Sequence, residues 1–380
     1  MKFLHTADLH LGKVLHEISL LEDQKHILKE IIKIAENEQA DAVLLAGDIY
    51  DRSIPPVEAV SLLDEFLTEL AKKGIMVLVI SGNHDSGERL SFMSNILEKQ
   101  NIIISGNRIE PLQRIEWKRN GEHVTFVLLP FVKPAEVGAK SSDEAVRIIL
   151  KREGLSGENK EKNHKYVLIT HFFVTDAGKT PELSDSESPV HVGGIDNVEA
   201  SAFSFFDYVA LGHIHKPQKI GTGEVYYAGT PLKYSFSEVA QEKSVLITEI
   251  GKEELQVKRV PLQPLRDMRK IRGTMKELMK PEIVSLADSN DYIQAVLTDK
   301  EELIDPIGTL RSVYPNIMQI VLEKNELKSG DIGRRVAQIS QKTTMELFEE
   351  FYEILRDEKM DDARRDVVRN ALEERTCALK

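Results

Sequence analysis

At 380 residues the chain exceeds one average domain, and its 41% hydrophobic share is ample for a sizeable core, which excludes long disorder. A large domain with an appendage is the natural expectation. A net charge of −12 argues against a chain that holds long nucleic acid by overall charge alone, although bound divalent cations would restore positive charge where a phosphate must sit.

The single cysteine, Cys377, rules out an intrachain disulfide and fits a reducing cytoplasm. The opening MKFLHTADLH has no basic stretch followed by an apolar one, so no signal peptide is expected. No apolar run approaches the ~20 residues that span a bilayer, so no membrane association is expected either.

In chain order, LHTADLH reads as a short buried strand ending in Asp8-x-His10. A helix with the apolar stripe Leu28, Ile31, Ile32 and Ala35 follows. AVLLAGD is the next strand, ending in Gly47-Asp48-x-x-Asp51, and Ala59, Leu63, Phe66, Leu67 and Leu70 mark a second amphipathic helix. IMVLVISGNHD ends in Gly82-Asn83-His84-Asp85, with a third helical stretch over 90–97. Strand–helix–strand alternation over residues 1–80 predicts βαβ units and a largely parallel sheet. Residues 124–130 add a strand, 151–165 read as a polar surface loop, and YVLITH ends in His171. A second polar loop over 175–189 would border that strand end. FDYVALGH then delivers Gly212-His213-x-His215.

The character changes near 261–266. MRKIRG, a short helix from Thr274, the strand YIQAVLT, a helix opened by Asp305-Pro306 and the strand IMQIVLE make a small α+β unit. The tail places Leu347, Phe348, Phe351, Tyr352 and Leu355 on one helical face, and a charged helix follows from about residue 362. Internal repeats and low-complexity tracts are absent from the sequence.

Carboxylates, imidazoles and one carboxamide, with no thiolate, form a donor set suited to hard or borderline divalent ions, Mn²⁺ above all. Open α/β sheets bind ligands beyond the carboxyl ends of their strands, so five such strand ends predict one site on one sheet edge. Asp48, ending a central strand, can give one oxygen to each of two ions. Asp8, His10 and His215 can complete the shell of one ion, and Asn83, His171 and His213 that of the other. The two imidazoles of GHIH alternate in direction and so reach different ions. His84 is better kept off the metals, as a general acid for a leaving oxygen. Asp51, one helical turn beyond Asp48, is the carboxylate expected to orient it.

The bland readings take the rest. His5, His16, His26, His123, His164 and His191 read as hydrogen-bonded or solvated residues, and Asp85 as a turn-stabilising carboxylate. Lys13 and Arg89, beside the motifs, read as solvated surface charge. Gly178-Lys179-Thr180 is no phosphate loop, because Phe173 stands where that motif needs glycine.

Taken together, these motifs resemble those of the calcineurin-like metallophosphoesterase superfamily. The longer strings LHTADLHLG, GDIYDRSIPP, VLVISGNHDSGERL, VGGIDNV, FDYVALGHIHKPQ and YAGTPLKYSFSE are similar, more narrowly, to those of the SbcD nuclease subunits of bacterial SbcCD complexes. The likeness is detailed over residues 1–250, looser over the small α+β unit and weakest in the tail. It implies an α/β fold: a metallophosphoesterase-type β-sandwich flanked by helices, with residues 1–262 as the dimetal phosphodiesterase domain. Residues 263–326 would be an α+β DNA-capping domain and 327–380 a helical tail that docks an ATPase.

The resemblance further implies two Mn²⁺ ions and cleavage of double-stranded DNA ends, hairpins and single strands, in DNA repair and recombination. An SbcC-like coiled-coil ATPase would be the partner, with a homodimer inside a heterotetramer, in the cytoplasm at the nucleoid. A small-molecule or protein phosphatase of the same superfamily, or a non-catalytic scaffold, are the alternatives. The capping segment and tail count against the first, and the complete donor set against the second.

Overall fold

Side chains alternate across a β-strand, and AVLLA shows what that does here. Ala42, Leu44 and Ala46 enter a core between two sheets, while Val43 and Leu45 pack against a layer of helices. With both faces buried the strand is apolar throughout, as covered parallel strands are. The computed structural model describes residues 1–323 except 120, 158–159, 162, 188–195, 252–254, 300 and 302, and beyond these 345–346, 348–349, 352–353, 359–362 and 364–369.

Strands β1 (Lys2–Thr6), β2 (Ala42–Ala46), β3 (Met76–Ile80) and β4 (Ile102–Ser105) run parallel, with α1 (Leu21–Asn37) and α2 (Val57–Lys72) as the first two crossovers. The stripes on α1 and α2 bury Ile27, Ile31, Leu63 and Phe66 against Val43, Leu45, Val77 and Val79. A second sheet comprises β5 (Gln113–Arg119), β6 (Glu122–Leu129), β7 (His164–His171), β8 (Tyr208–Gly212), β9 (Gln218–Ile220) and β10 (Val225–Tyr227). Its order is β9-β10-β8-β7-β6-β5. The chain then returns to the first sheet as β11 (Ser244–Ile250) and β12 (Leu255–Pro261), giving the order β12-β11-β1-β2-β3-β4.

Between the sheets, Phe3, Leu78, Phe126, Val167, Ile169 and Tyr208 fill the centre, with Phe3 edge-on to Phe126 and Tyr208. Helix α3 (Ser142–Arg152), capped by the Ser141 side chain, covers the outer face of the second sheet through Val146 and Ile149. The result is a helix–sheet–sheet–helix sandwich. Register brings the strand ends together: Thr6 pairs with Leu45, Ala46 with Ile80, and His171 with Gly212.

Two local expectations are corrected. Residues 90–97 are not one helix but two single turns, Gly87–Leu90 and Ser94–Leu97, separated by Met93 in left-handed backbone. The 151–165 stretch is not all loop, since α3 runs to Arg152 and β7 begins at His164.

The small unit comprises β13 (Met268–Gly273), β14 (Tyr292–Leu297), α4 (Pro306–Arg311) and β15 (Ile317–Leu322), a parallel three-stranded sheet and a helix with their own core around Ile293, Ala295, Leu310 and Tyr314. Asp305 caps α4 by accepting from the Gly308 N–H. The buried Asp23 of α1 ties the unit to the sandwich, 2.8 Å from Arg266 and 2.6 Å from the Tyr292 hydroxyl. Leu347, Phe351, Leu355, Cys377 and His191 lie outside the described residues. Among the described residues no helix is long and apolar enough to cross a membrane.

Candidate metal centre

Past β1, β2 and β8 the chain turns sharply, and four donor residues sit there in left-handed backbone: Asp8 (φ 53°), His10 (φ 45°), Asp48 (φ 49°) and His213 (φ 102°). Such conformations cost about 1–3 kcal/mol each and persist only where the surroundings over-determine them. Backbone bonds do so here, from the Asp8 N–H to Gly47 and from the His10 N–H to Asp48, both 3.0 Å. Gln24 of α1 adds a clamp, accepting from the Gly12 N–H at 3.0 Å and donating to the His10 carbonyl at 2.8 Å.

The donors come from two facing sheets, which corrects the expectation of a single sheet edge. Asp8, Asp48 and Asn83 follow β1, β2 and β3, whereas His171 ends β7, and His213 and His215 follow β8. Two glycines allow the approach. A Cβ on Gly82 would overlap the Asp48 carboxylate, and one on Gly212 the Ala46 carbonyl across the gap.

All seven expected ligands converge. Asp8, His10 and His215 bring donor atoms within 4.8 Å of one another, and so do Asp8, Asp48 and His171. One Asp48 oxygen lies 3.3 Å from His171 Nε2 and 3.8 Å from His10 Nε2, between the two groups. The Asn83 side-chain oxygen is 3.0 Å from both His171 Nε2 and His213 Nδ1. His213 meets the Asn83 side-chain oxygen, whereas His215 lies with Asp8 and His10. The turn after β8, rather than strand alternation, separates them.

Burial and neighbouring charge pull the acid–base behaviour of these buried groups in opposite directions. Burial lifts the Asp8 carboxyl well above the usual range, with His171 opposing and the Asp48 charge adding to the rise. Burial would lift Asp48 too, but His171, His10 and His84 hold it well below the carboxylate norm. Burial disfavours a charged His171, yet Asp48 and Asp8 outweigh it and raise the imidazole to about 9. His10 is pushed well below its ordinary value, first by burial. Neither His10 ring nitrogen has a hydrogen-bond partner, although the residue is only 2% exposed. Buried polar atoms are rarely left so. His171 Nδ1 donates to the Ala46 carbonyl at 2.8 Å, which aims Nε2 at the cluster. An orphaned imidazole, two buried carboxylates and a carboxamide oxygen fit divalent cations.

His84 stands at the rim, its side chain 34% exposed and its Nε2 4.0 Å from Asp48. Its orientation comes from Asp51, but not as expected. His84 Nδ1 donates to the Asp51 backbone carbonyl at 3.0 Å, while the carboxylate takes Lys13 at 2.8 Å. Asp51 also lies in an irregular loop, not a helical turn beyond Asp48. Lys13 is therefore part of this network and not a solvated charge, while Arg89 is exposed.

Asp85 is the turn-stabilising group expected, accepting from the Ile49, Tyr50 and Gly82 N–H groups. His5 bonds Tyr208 and Leu211, His26 reaches the Gln263 carbonyl, His16 lies against Phe236, and His123 stacks on His164.

Sequence reasoning missed an outer layer of Gln24, Ser186, Glu187, Tyr234, Glu238 and Lys243. Gln24 left one signal, a polar residue in register with the buried stripe of α1. Tyr234 and Glu238 lay inside the quoted string YAGTPLKYSFSE with no role attached. Glu238 is 0% exposed; burial would raise its pKa, but the neighbouring His215 and Lys243 hold it at about 2.

Residues 1–217 match the family described as calcineurin-like phosphoesterase, and residues 264–355 match the type 5 capsule protein repressor C-terminal domain. Over 384 aligned residues the chain is 34% identical to SbcD, the D component of the nuclease SbcCD, from Staphylococcus epidermidis, covering 98% of each chain. The chain belongs to the calcineurin-like phosphoesterase family, in the branch of the SbcD nuclease subunits. Among solved structures it is similar to a dimetal phosphatase from Danio rerio, at 14% identity and a TM-score of 0.40 over 70% of this chain and 98% of that one. It is also similar to a protein of Thermus thermophilus, at 14% identity and a TM-score of 0.37 over 68% of this chain and 98% of that one.

Proposed function

We propose that this protein is the Mn²⁺-dependent nuclease subunit of an SbcCD-type complex and hydrolyses DNA phosphodiesters at the cluster between its two sheets. The observation that carries the proposal is the convergence of Asp8, His10, Asp48, Asn83, His171, His213 and His215, with both His10 nitrogens unbonded. Asp8, His10 and His215 would hold one cation, Asn83, His171 and His213 the other, and Asp48 both. A bound pair of Mn²⁺ ions supplies an acidified water and neutralises charge on the phosphate oxygens. His84 keeps a hydrogen on Nδ1 for the Asp51 carbonyl, so its Nε2 is the atom that can hold a proton for the leaving oxygen.

Residues 1–262 would form the catalytic domain, with 263–326 as a cap over the DNA and the 327–380 tail docking an SbcC-like coiled-coil ATPase. The ATPase would supply much of the phosphate grip that an acidic chain lacks. A homodimer within a heterotetramer is supported by exposed apolar side chains flanking the site. Ile54, Val57 and Val60 follow the Asp51 loop, and Phe92, Met93 and Ile96 follow the His84 loop. The setting would be the cytoplasm, at the nucleoid, in DNA repair and recombination.

The test is nuclease assay on blunt and hairpin DNA with Mn²⁺, with and without the co-purified ATPase, beside a phosphomonoester. Cleavage of DNA that disappears with chelator is the expected result. Hydrolysis of the monoester alone would replace the proposal with a phosphatase.

A further inference from the structure

Behind His215 runs a polar chain that ends in a fully buried carboxylate. Ser186 Oγ lies 2.7 Å from His215 Nδ1 and donates a short hydrogen bond to Glu238 Oε1. Glu238 is ion-paired at 2.6 Å with Lys243, whose side chain is 5% exposed. Lys243 also donates to the His215 carbonyl at 3.0 Å and to Gln241 at 2.9 Å. The neighbouring Glu187 accepts from the His215 and Ser184 N–H groups, which fastens this segment over the turn after β8.

We propose that Ser186 is a positioning residue of the metal centre: its hydroxyl, tied to Glu238, fixes His215 in the tautomer that carries hydrogen on Nδ1. This rests on the reading of His215 as a metal ligand. A serine hydroxyl has one hydrogen. With that hydrogen directed to the carboxylate, Oγ can only accept at His215 Nδ1, and the remaining lone pair is on Nε2. Nε2 is then the atom left to join Asp8 and His10 in their donor group. His171 Nδ1 donates instead to the Ala46 carbonyl, so the two imidazoles are oriented by different devices. The intervening hydroxyl keeps the carboxylate 3.6 Å from Nδ1, which fixes the tautomer without direct carboxylate contact. Partners of this kind are worth about 10–100-fold in metal affinity.

The test uses the full chain, ¹⁵N NMR of His215 in the metal-free protein, and Mn²⁺ titration calorimetry. In the native protein His215 should carry hydrogen on Nδ1. Ser186→Ala should mix the tautomers and weaken Mn²⁺ binding by about 10–100-fold. Ser186→Thr, which keeps the hydroxyl, should restore both. His215 found with hydrogen on Nε2 in the native protein overturns the proposal without any variant. So does native Mn²⁺ affinity in Ser186→Ala when His215→Ala binds weakly. If His215→Ala itself binds Mn²⁺ at native affinity, the ligand reading falls, and the role of Ser186 falls with it.

Discussion

Replacing Gly212 by alanine tests how two sheets come close enough to share one site. The new Cβ would overlap the Ala46 carbonyl oxygen and stand 2.6 Å from His171 Nδ1. Neither neighbour can swing aside, because one is backbone and the other is a ring bonded at 2.8 Å to that same carbonyl. Strands β2 and β8 must then part by about 1 Å, a gap that forfeits roughly a quarter to a half of the attraction between facing side chains. Overpacking a filled core costs about 1–3 kcal/mol, and the weakened His171 bond adds about 1 kcal/mol. The expected loss is about 2–4 kcal/mol in urea denaturation with chelator present. Mn²⁺ affinity, read by calorimetry, should fall about 10–100-fold, because the partner that orients His171 is displaced. Gly74→Ala is the control. That glycine has φ 71° and nothing within 4 Å of an added Cβ, so only backbone strain of about 1 kcal/mol is expected, with native Mn²⁺ affinity. A native urea midpoint and native Mn²⁺ affinity in Gly212→Ala would refute the close approach as the reason for glycine at this position.

Two other outcomes follow from the geometry. His84→Ala should retain Mn²⁺ and lose about 10²–10⁴-fold in turnover on DNA, whereas Asp48→Ala should lose Mn²⁺ as well; undiminished turnover in His84→Ala would remove the leaving-group role. His5 is fully buried, and burial pushes it down to about 3 from an ordinary 6.5, against an opposing bond to the Leu211 carbonyl. Between those values the unfolded chain binds the extra proton, so this group's contribution to stability is complete above pH 6.5 and is lost as pH falls toward 3. His5→Gln should therefore lose about 2 kcal/mol less than the native protein between pH 6.5 and 5, measured by urea denaturation with chelator. Parallel pH profiles for the two proteins would contradict that assignment.

Sequence alone determined whatever depends on local pattern. The stripes of α1 and α2, the buried strands, the Asp305 cap and the donors placed just past strand ends are all periodicities or short-range chemistry. Each is legible within a dozen residues. Tertiary structure decided which strands share a sheet, because a strand buried on both faces is apolar whichever sheet it joins. That is why Asp8 and His171 looked like neighbours on one edge when they face each other across a gap. It also decided that Asp51 orients His84 by its carbonyl and answers Lys13 with its carboxylate, a choice set by the path of a left-handed turn that residue types do not encode. The break at Met93 is likewise a backbone event, at a residue type that ordinarily favours helix. Ser186, Glu187 and Glu238 lie far from His215 in the chain, in segments with no periodic signal. Only the folding of those segments onto one turn makes them partners, since a hydrogen bond depends on distance in space and not on separation along the chain.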